Sequence, residues 1–143
     1  MTESALWSRT RDTLAPFGAL KRIENAVDLG TPDLAYALKA PAIKPFQGWI
    51  ELKHAPSWPA RGGPLIFPHL TVEQVQWHEA WRAAGGRVHA LFQVERDCFV
   101  VGRKLRLLMI RGVDRNQLED DAVLISWGRF FGAGELIRCL AKG

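Results

Sequence analysis

The strongest constraint on this chain is the run from Asp33 to His54, which reads as two strands folded about a proline-bearing turn. Asp33-Leu34-Ala35-Tyr36-Ala37-Leu38 alternates large apolar residues with small or polar ones, and Phe46 to His54 alternates in the same sense. Lys39 to Pro45, with Pro41 and Pro45, reads as the turn that makes the pair antiparallel. A hairpin of this kind has an apolar face to bury, and the flanking sequence supplies the cover. Glu3 to Leu14 is built of helix formers and stops before Ala15-Pro16, and Ala19 to Asn25 reads as a second, short helical piece. Residues 55–69 carry four Pro and two Gly, which excludes a regular element and leaves a long loop of the functional or mobile kind. Thr71 is then placed to cap a helix reaching about Ala84, stopped by Gly85-Gly86. Arg87–Val94 and Cys98–Val101 read as strands about the turn Glu95-Arg96-Asp97, with Lys104 to Ile110 continuing the sheet. Val123 to Trp127 fits a strand or a buried helix, and Gly134 to Ala141 a short helix. The order implies an α/β fold: a mixed central β-sheet flanked by helices.

Length and composition bound the rest. The 143 residues suit a single domain, residues 1–143, with a core over about 19–111 and a C-terminal extension over 112–143. That extension is apolar enough, at Leu124, Ile125, Trp127, Phe130 and Phe131, to cap the core or to form a dimer contact. Hydrophobic residues make up 48% and charged residues 24%, which excludes a disordered chain. The N-terminus lacks an apolar signal region, and no stretch is long enough to span a membrane. Cys98 and Cys139 lie at no metal-ligand spacing and read as reduced thiols of a cytoplasmic protein. His78-Glu79 is not a zinc motif, because position 82 is Arg, and neither a glycine-rich phosphate loop nor a serine-nucleophile motif is present. The formal charge of +4 admits a polyanionic partner without requiring one.

The chemistry concentrates at Glu51-Leu52-Lys53. On a strand, Glu51 and Lys53 share one face while Ile50 and Leu52 take the other. If the two strands pair, Asp33 converges on Glu51 at one end of the hairpin. Two carboxylates held together need a cation between them, and hard oxygen donors suit Mg²⁺ or Mn²⁺. On those residues alone the commoner reading is a solvated strand face. Glu24 precedes the first strand and is by itself a surface residue as readily as a third ligand. Leu70, Gln74, Trp77, Trp81 and Ala84 form one helical stripe. Gln74 in that stripe needs a partner, whether in the core or at a site, and Trp77 and Trp81 read as core.

Together, Arg22-Ile23-Glu24-Asn25, Gly30-Thr31-Pro32-Asp33, Trp49-Ile50-Glu51-Leu52-Lys53 and Leu70-Thr71-Val72-Glu73-Gln74 resemble the PD-(D/E)XK nuclease superfamily. The likeness is nearest to its small phage-type, VRR-NUC and Holliday-junction-resolvase-like members, and covers roughly residues 20–95. It implies a restriction-endonuclease-like core and Mg²⁺-dependent hydrolysis of phosphodiester bonds, with Mn²⁺ able to substitute. Asp33 and Glu51, with the Leu52 carbonyl and Glu24, would hold the ion. Lys53 would orient the attacking water, and Gln74 would bond near the scissile phosphate. The implied partner is branched or structured DNA, cut by a homodimer if the junction-resolving subtype holds. A flap or single-strand nuclease, or an inactive nucleic-acid-binding member, are the alternatives. Arg22, Arg61, Arg103 and Lys104 are candidates for phosphate contacts, and Trp58 on the loop with Arg61 for stacking on an unpaired base.

Overall fold

The computed structural model describes residues 2–23, 30–65, 71–106 and 112–143. Its elements in order are α1 (Glu3–Leu14), β1 (Gly18–Arg22), β2 (Leu34–Ala40), β3 (Ile43–Ala55), α2 (Val72–Ala83), β4 (Val88–Val94), β5 (Asp97–Val101), α3 (Arg115–Asp121), β6 (Leu124–Ser126) and α4 (Ala133–Lys142). The strands form one six-stranded sheet in sequence order. Every neighbouring pair is antiparallel except β3–β4, which is parallel and is joined through α2. A parallel pair needs such a crossover, and the loop and helix after β3 provide it. The result is an α/β architecture with a mixed sheet flanked by helices, consistent with a restriction-endonuclease-like core.

Strand alternation divides the interior in two. Leu34, Tyr36, Leu38, Phe46, Ile50, Leu52 and Leu91 point to one face and are covered by Leu6 and Leu14 of α1 and by Leu136, Ile137 and Leu140 of α4. Ala90, Phe92, Val94, Phe99 and Val101 point to the other and meet Val75 of α2 and Leu118 of α3. Residues 112–143 therefore complete the fold: β6 extends the sheet edge and α4 closes the first core. Cys98 and Cys139 are both free thiols. Among the described residues no helix is long and apolar enough to cross a membrane.

The sequence reading needs correction in three places. Gly18 to Arg22 is a strand rather than part of a short helix, pairing Gly18 with Leu38 and Arg22 with Leu34. Helix-forming residues there yield to a free ladder edge on β2, and Gly18 lies so close to the Ala37 carbonyl that a Cβ would overlap it. Asn25 and Glu24 lie outside the described residues. Lys104 does not continue the sheet: Arg103 and Lys104 form a turn, Leu105 and Arg106 are helical, and residues 107–110 lie outside the described residues. The hairpin turn is also shorter than Lys39–Pro45, contracting to Pro41-Ala42 with Ala42 at φ 63°. Pro45 thereby enters β3, where the strand has no β4 neighbour before Trp49 and a missing N–H costs little.

Gly30 ties the start of the hairpin to α2. It has φ 91°, and a Cβ there would collide with the Glu73 carbonyl in the first turn of the helix. Gly30→Ala should therefore destabilise the protein by about 2 kcal/mol or more, read as a lower urea midpoint. An unchanged midpoint would mean that this approach is not part of the native packing.

Candidate active site

The site is assembled at the end of the β2–β3 ladder. The last paired residues are Leu34 and Ile50, so extending the register sets Asp33 opposite Glu51. Beyond β2 the Leu52 N–H has lost its ladder neighbour, and the Asp33 carboxylate takes it: Leu52 N donates to Asp33 Oδ2 at 2.6 Å. In an antiparallel ladder a residue's N–H and C=O face the same neighbour, so the Leu52 carbonyl looks toward the same edge.

Glu51 lies under this point, fully buried at 0% exposure, with Lys53 beside it at 3%. Lys53 Nζ is 2.8 Å from Glu51 Oε1. The same oxygen accepts a 2.6 Å hydrogen bond from Gln74 Nε2. Gln74 is fixed by its own helix start: Thr71 Oγ1 accepts from Gln74 N, while Gln74 Oε1 accepts from Thr71 N. This capping box holds the side-chain amide so that its NH₂ can point only away from the cap, toward Glu51. The remaining oxygen, Glu51 Oε2, is buried with no hydrogen-bond partner.

The electrostatics follow from that geometry. Glu51 is pushed up to about 8, first by burial and next by the negative charge of Asp33, with the Lys53 ammonium opposing both. Without a cation the carboxyl is thus largely protonated at neutral pH. An unsatisfied buried oxygen next to a second carboxylate is the donor set that a hard divalent ion answers. Mg²⁺ commonly takes one or two carboxylates and completes its octahedron with water and phosphate. The residues present fit that group. Among the described residues no cluster of three or more His, Cys, Asp or Glu side chains is placed to hold a metal, so a third acidic ligand would have to be Glu24, outside them.

Asp33, Glu51, Leu52, Lys53 and Gln74 are therefore brought together. The expected nucleic-acid contacts are dispersed. Arg22 is exposed with its guanidinium 5.8 Å from the Trp7 ring centre, and Arg61 is exposed on the loop. Arg103 and Lys104 are exposed on the turn after β5, with Lys104 Nζ 3.6 Å from Asp121. Trp58 is not the free loop ring that stacking requires. It packs edge-on to Phe99 at 6.5 Å, lies under the Arg115 guanidinium, and adjoins the second core.

The helical stripe also has a different duty from the one its periodicity suggested. The buried residues of α2 are Val75 and His78, whereas Trp81 is 38% exposed. Trp77 stacks on Trp81 at 4.9 Å and meets Trp49 edge-on at 5.4 Å. The line Gln74–Trp77–Trp81 thus runs along the flank of the site rather than into the core. The Gly86 backbone lies against Trp81 with no room for a Cβ. The signal available in the sequence was the spacing Thr71-x-x-Gln74, a capping-box pattern that accounts for Gln74's orientation.

Gln74→Ala removes both the cap bond and the Glu51 bond. It should cost about 1–3 kcal/mol of stability, measured by denaturant titration; a wild-type midpoint would contradict the network described. Searched against models of known protein families and against characterised proteins, the sequence matches none. What the site does is carried by its own geometry.

Proposed function

We propose that the protein is a Mg²⁺-dependent phosphodiesterase acting on DNA, an endonuclease of the PD-(D/E)XK type. The observation that carries this reading is Glu51: fully buried, one oxygen shared by Lys53 and Gln74, the other without a partner, and Asp33 alongside. A carboxylate buried at that cost has a use that a solvated strand face does not explain.

Asp33, Glu51 and the Leu52 carbonyl would hold the ion, which supplies Lewis-acid stabilisation of phosphate charge and makes a water more acidic. Glu51 sheds its proton when that charge arrives. Lys53 has its ammonium held at Glu51 Oε1, where it can orient the attacking water and offset charge on the phosphoryl oxygens. Gln74 locks the Glu51 carboxylate in one orientation through the Thr71 cap. The ladder bond from Leu52 N fixes Asp33 in the same way. Rigid placement of this kind lets the groups meet the transition state without reorganising.

Branched or otherwise structured DNA is the proposed substrate, and cutting a junction at two symmetric positions would need a homodimer. Labelled junctions, flaps, duplexes and single strands, incubated with Mg²⁺ and separately with EDTA, test the reading. Cleavage of at least one substrate that EDTA abolishes is expected. No cleavage of any substrate, with Mg²⁺ or Mn²⁺, would overturn it.

A further inference from the structure

A second cleft opens beside the site, where β4 begins and Gly85-Gly86 cross the sheet. It measures about 400 Å³ and is lined by Trp49, Trp81, Tyr36, Gly48, Gln47 and Arg87 among others. Its walls are aromatic. Trp49 and Trp81 meet edge-on at 6.0 Å, and Trp77 backs Trp81 in a near-parallel stack inclined by 14°. The Gly86 backbone braces the Trp81 ring so closely that no Cβ would fit. Exposing Trp81 to solvent at 38% is costly for so large an apolar ring, and three tryptophans clustered at a rim are the composition of a stacking surface rather than of a solvated helix face.

The polar group of this cleft is the exposed Gln47 side chain, which shares one face of β3 with Trp49. Tyr36 and Arg87 border the cleft but send their side chains to the opposite face of the sheet, where Tyr36 packs on Phe46 and Arg87 Nε donates to the Ala141 carbonyl. Aromatic faces beside an amide suit a flat heterocycle with polar edges.

Position connects the cleft to the catalytic groups. Trp49 and Glu51 are two residues apart on one face of β3, which sets them roughly 7 Å apart along the strand. That is within the reach of a single nucleotide.

We infer that this cleft receives an unpaired nucleobase next to the scissile phosphate, so that the substrate is DNA with a single-stranded segment rather than fully paired duplex. The inference rests on the nuclease reading of the Glu51 site, whose substrate it narrows. A base inside a duplex has both faces stacked and its edge paired; only an unpaired one can present a face to Trp49 or Trp81 and an edge to Gln47.

Binding is measured in EDTA, where no cleavage occurs, with a short oligodeoxythymidylate and with a blunt duplex of equal length. Intrinsic tryptophan fluorescence should fall with the single strand and change little with the duplex. Trp81→Ala should weaken single-strand binding about tenfold or more and leave duplex binding unchanged. Gln47→Ala removes only an exposed amide, so it folds with near-unchanged thermal stability, and it should bind the single strand several-fold more weakly. Equal binding of both DNAs by wild type, or wild-type affinity in both variants, would overturn the inference. Adding Mg²⁺ to the same samples separates the two readings. Cleavage with no preference for unpaired DNA removes the cleft's role and leaves the nuclease standing, whereas preferential binding with no cleavage supports the cleft and removes the nuclease.

Discussion

Glu51→Gln and Lys53→Met should each lower Mg²⁺-dependent cleavage by about 10³-fold or more, while DNA affinity measured in EDTA stays within a few-fold of wild type. These replacements are chosen because both side chains are buried, Glu51 at 0% and Lys53 at 3% exposure. Glu51→Ala would take away the buried oxygen that Lys53 and Gln74 both use, at a cost of about 1–3 kcal/mol. Glutamine keeps an oxygen for Lys53 and Gln74 and removes only the charge that a cation needs. Methionine fills the lysine's volume, and the Glu51 it leaves behind already favours its neutral form. Loss of activity in folded protein is then a statement about chemistry. If either variant cuts as fast as wild type, the assigned centre is wrong.

The second large effect is on metal affinity as a function of pH. Glu51 is pushed up to about 8 by burial and by Asp33, and only its ionised form can join a divalent ion. Apparent Mg²⁺ affinity should therefore rise by up to about tenfold per pH unit below 8 and level off above it. Near pH 7 most sites should release about one proton per ion bound. Calorimetric titration in two buffers of different ionisation enthalpy reads that proton directly. Lys53→Met should move the break to higher pH, because the ammonium is what restrains the upward shift.

Stability of the metal-free protein carries the same signature with the opposite sense. The folded state keeps a proton on Glu51 that the unfolded chain releases near 4.5, so this group's contribution is complete below about 4.5 and lost as pH rises toward 8. Saturating Mg²⁺ should restore stability at pH 8, and Glu51→Gln, which cannot titrate, should flatten the dependence. A wild-type Tm that rises between pH 6 and 8 in EDTA, with Glu51→Gln rising less, would contradict the raised acidity constant.

Much of this centre was legible because it is written in short-range periodicity. Alternation fixes the face of Glu51 and Lys53, and a hairpin with few turn residues fixes which end Asp33 meets. The Thr71 cap and the Gly85-Gly86 stop bound α2 to within a residue or so of the observed Val72–Ala83. Illegible were features decided by what packs from afar. Gly18–Arg22 takes strand geometry because β2 offers an open edge, which nothing within those five residues announces. Trp77 and Trp81 fall on an apolar stripe, yet the sheet beneath presents Trp49 and the charged pair at that point, so the rings line a rim. His78, which the sequence excludes only as a zinc ligand, is buried at 2% exposure and held neutral, its acidity constant lowered to about 3 mainly by burial. Trp58 lies in a loop that composition marks as irregular, but irregular backbone still packs, here against Phe99.

The centre itself is tested most directly by locating a bound ion. Crystals grown or soaked with Mn²⁺ and measured at the manganese absorption edge would give its position without reference to activity. The account predicts an anomalous peak within about 2–2.5 Å of carboxylate oxygens from both Asp33 and Glu51, absent in Glu51→Gln. A peak elsewhere in the protein, or none at millimolar Mn²⁺ and pH 8 in wild-type crystals, would contradict it.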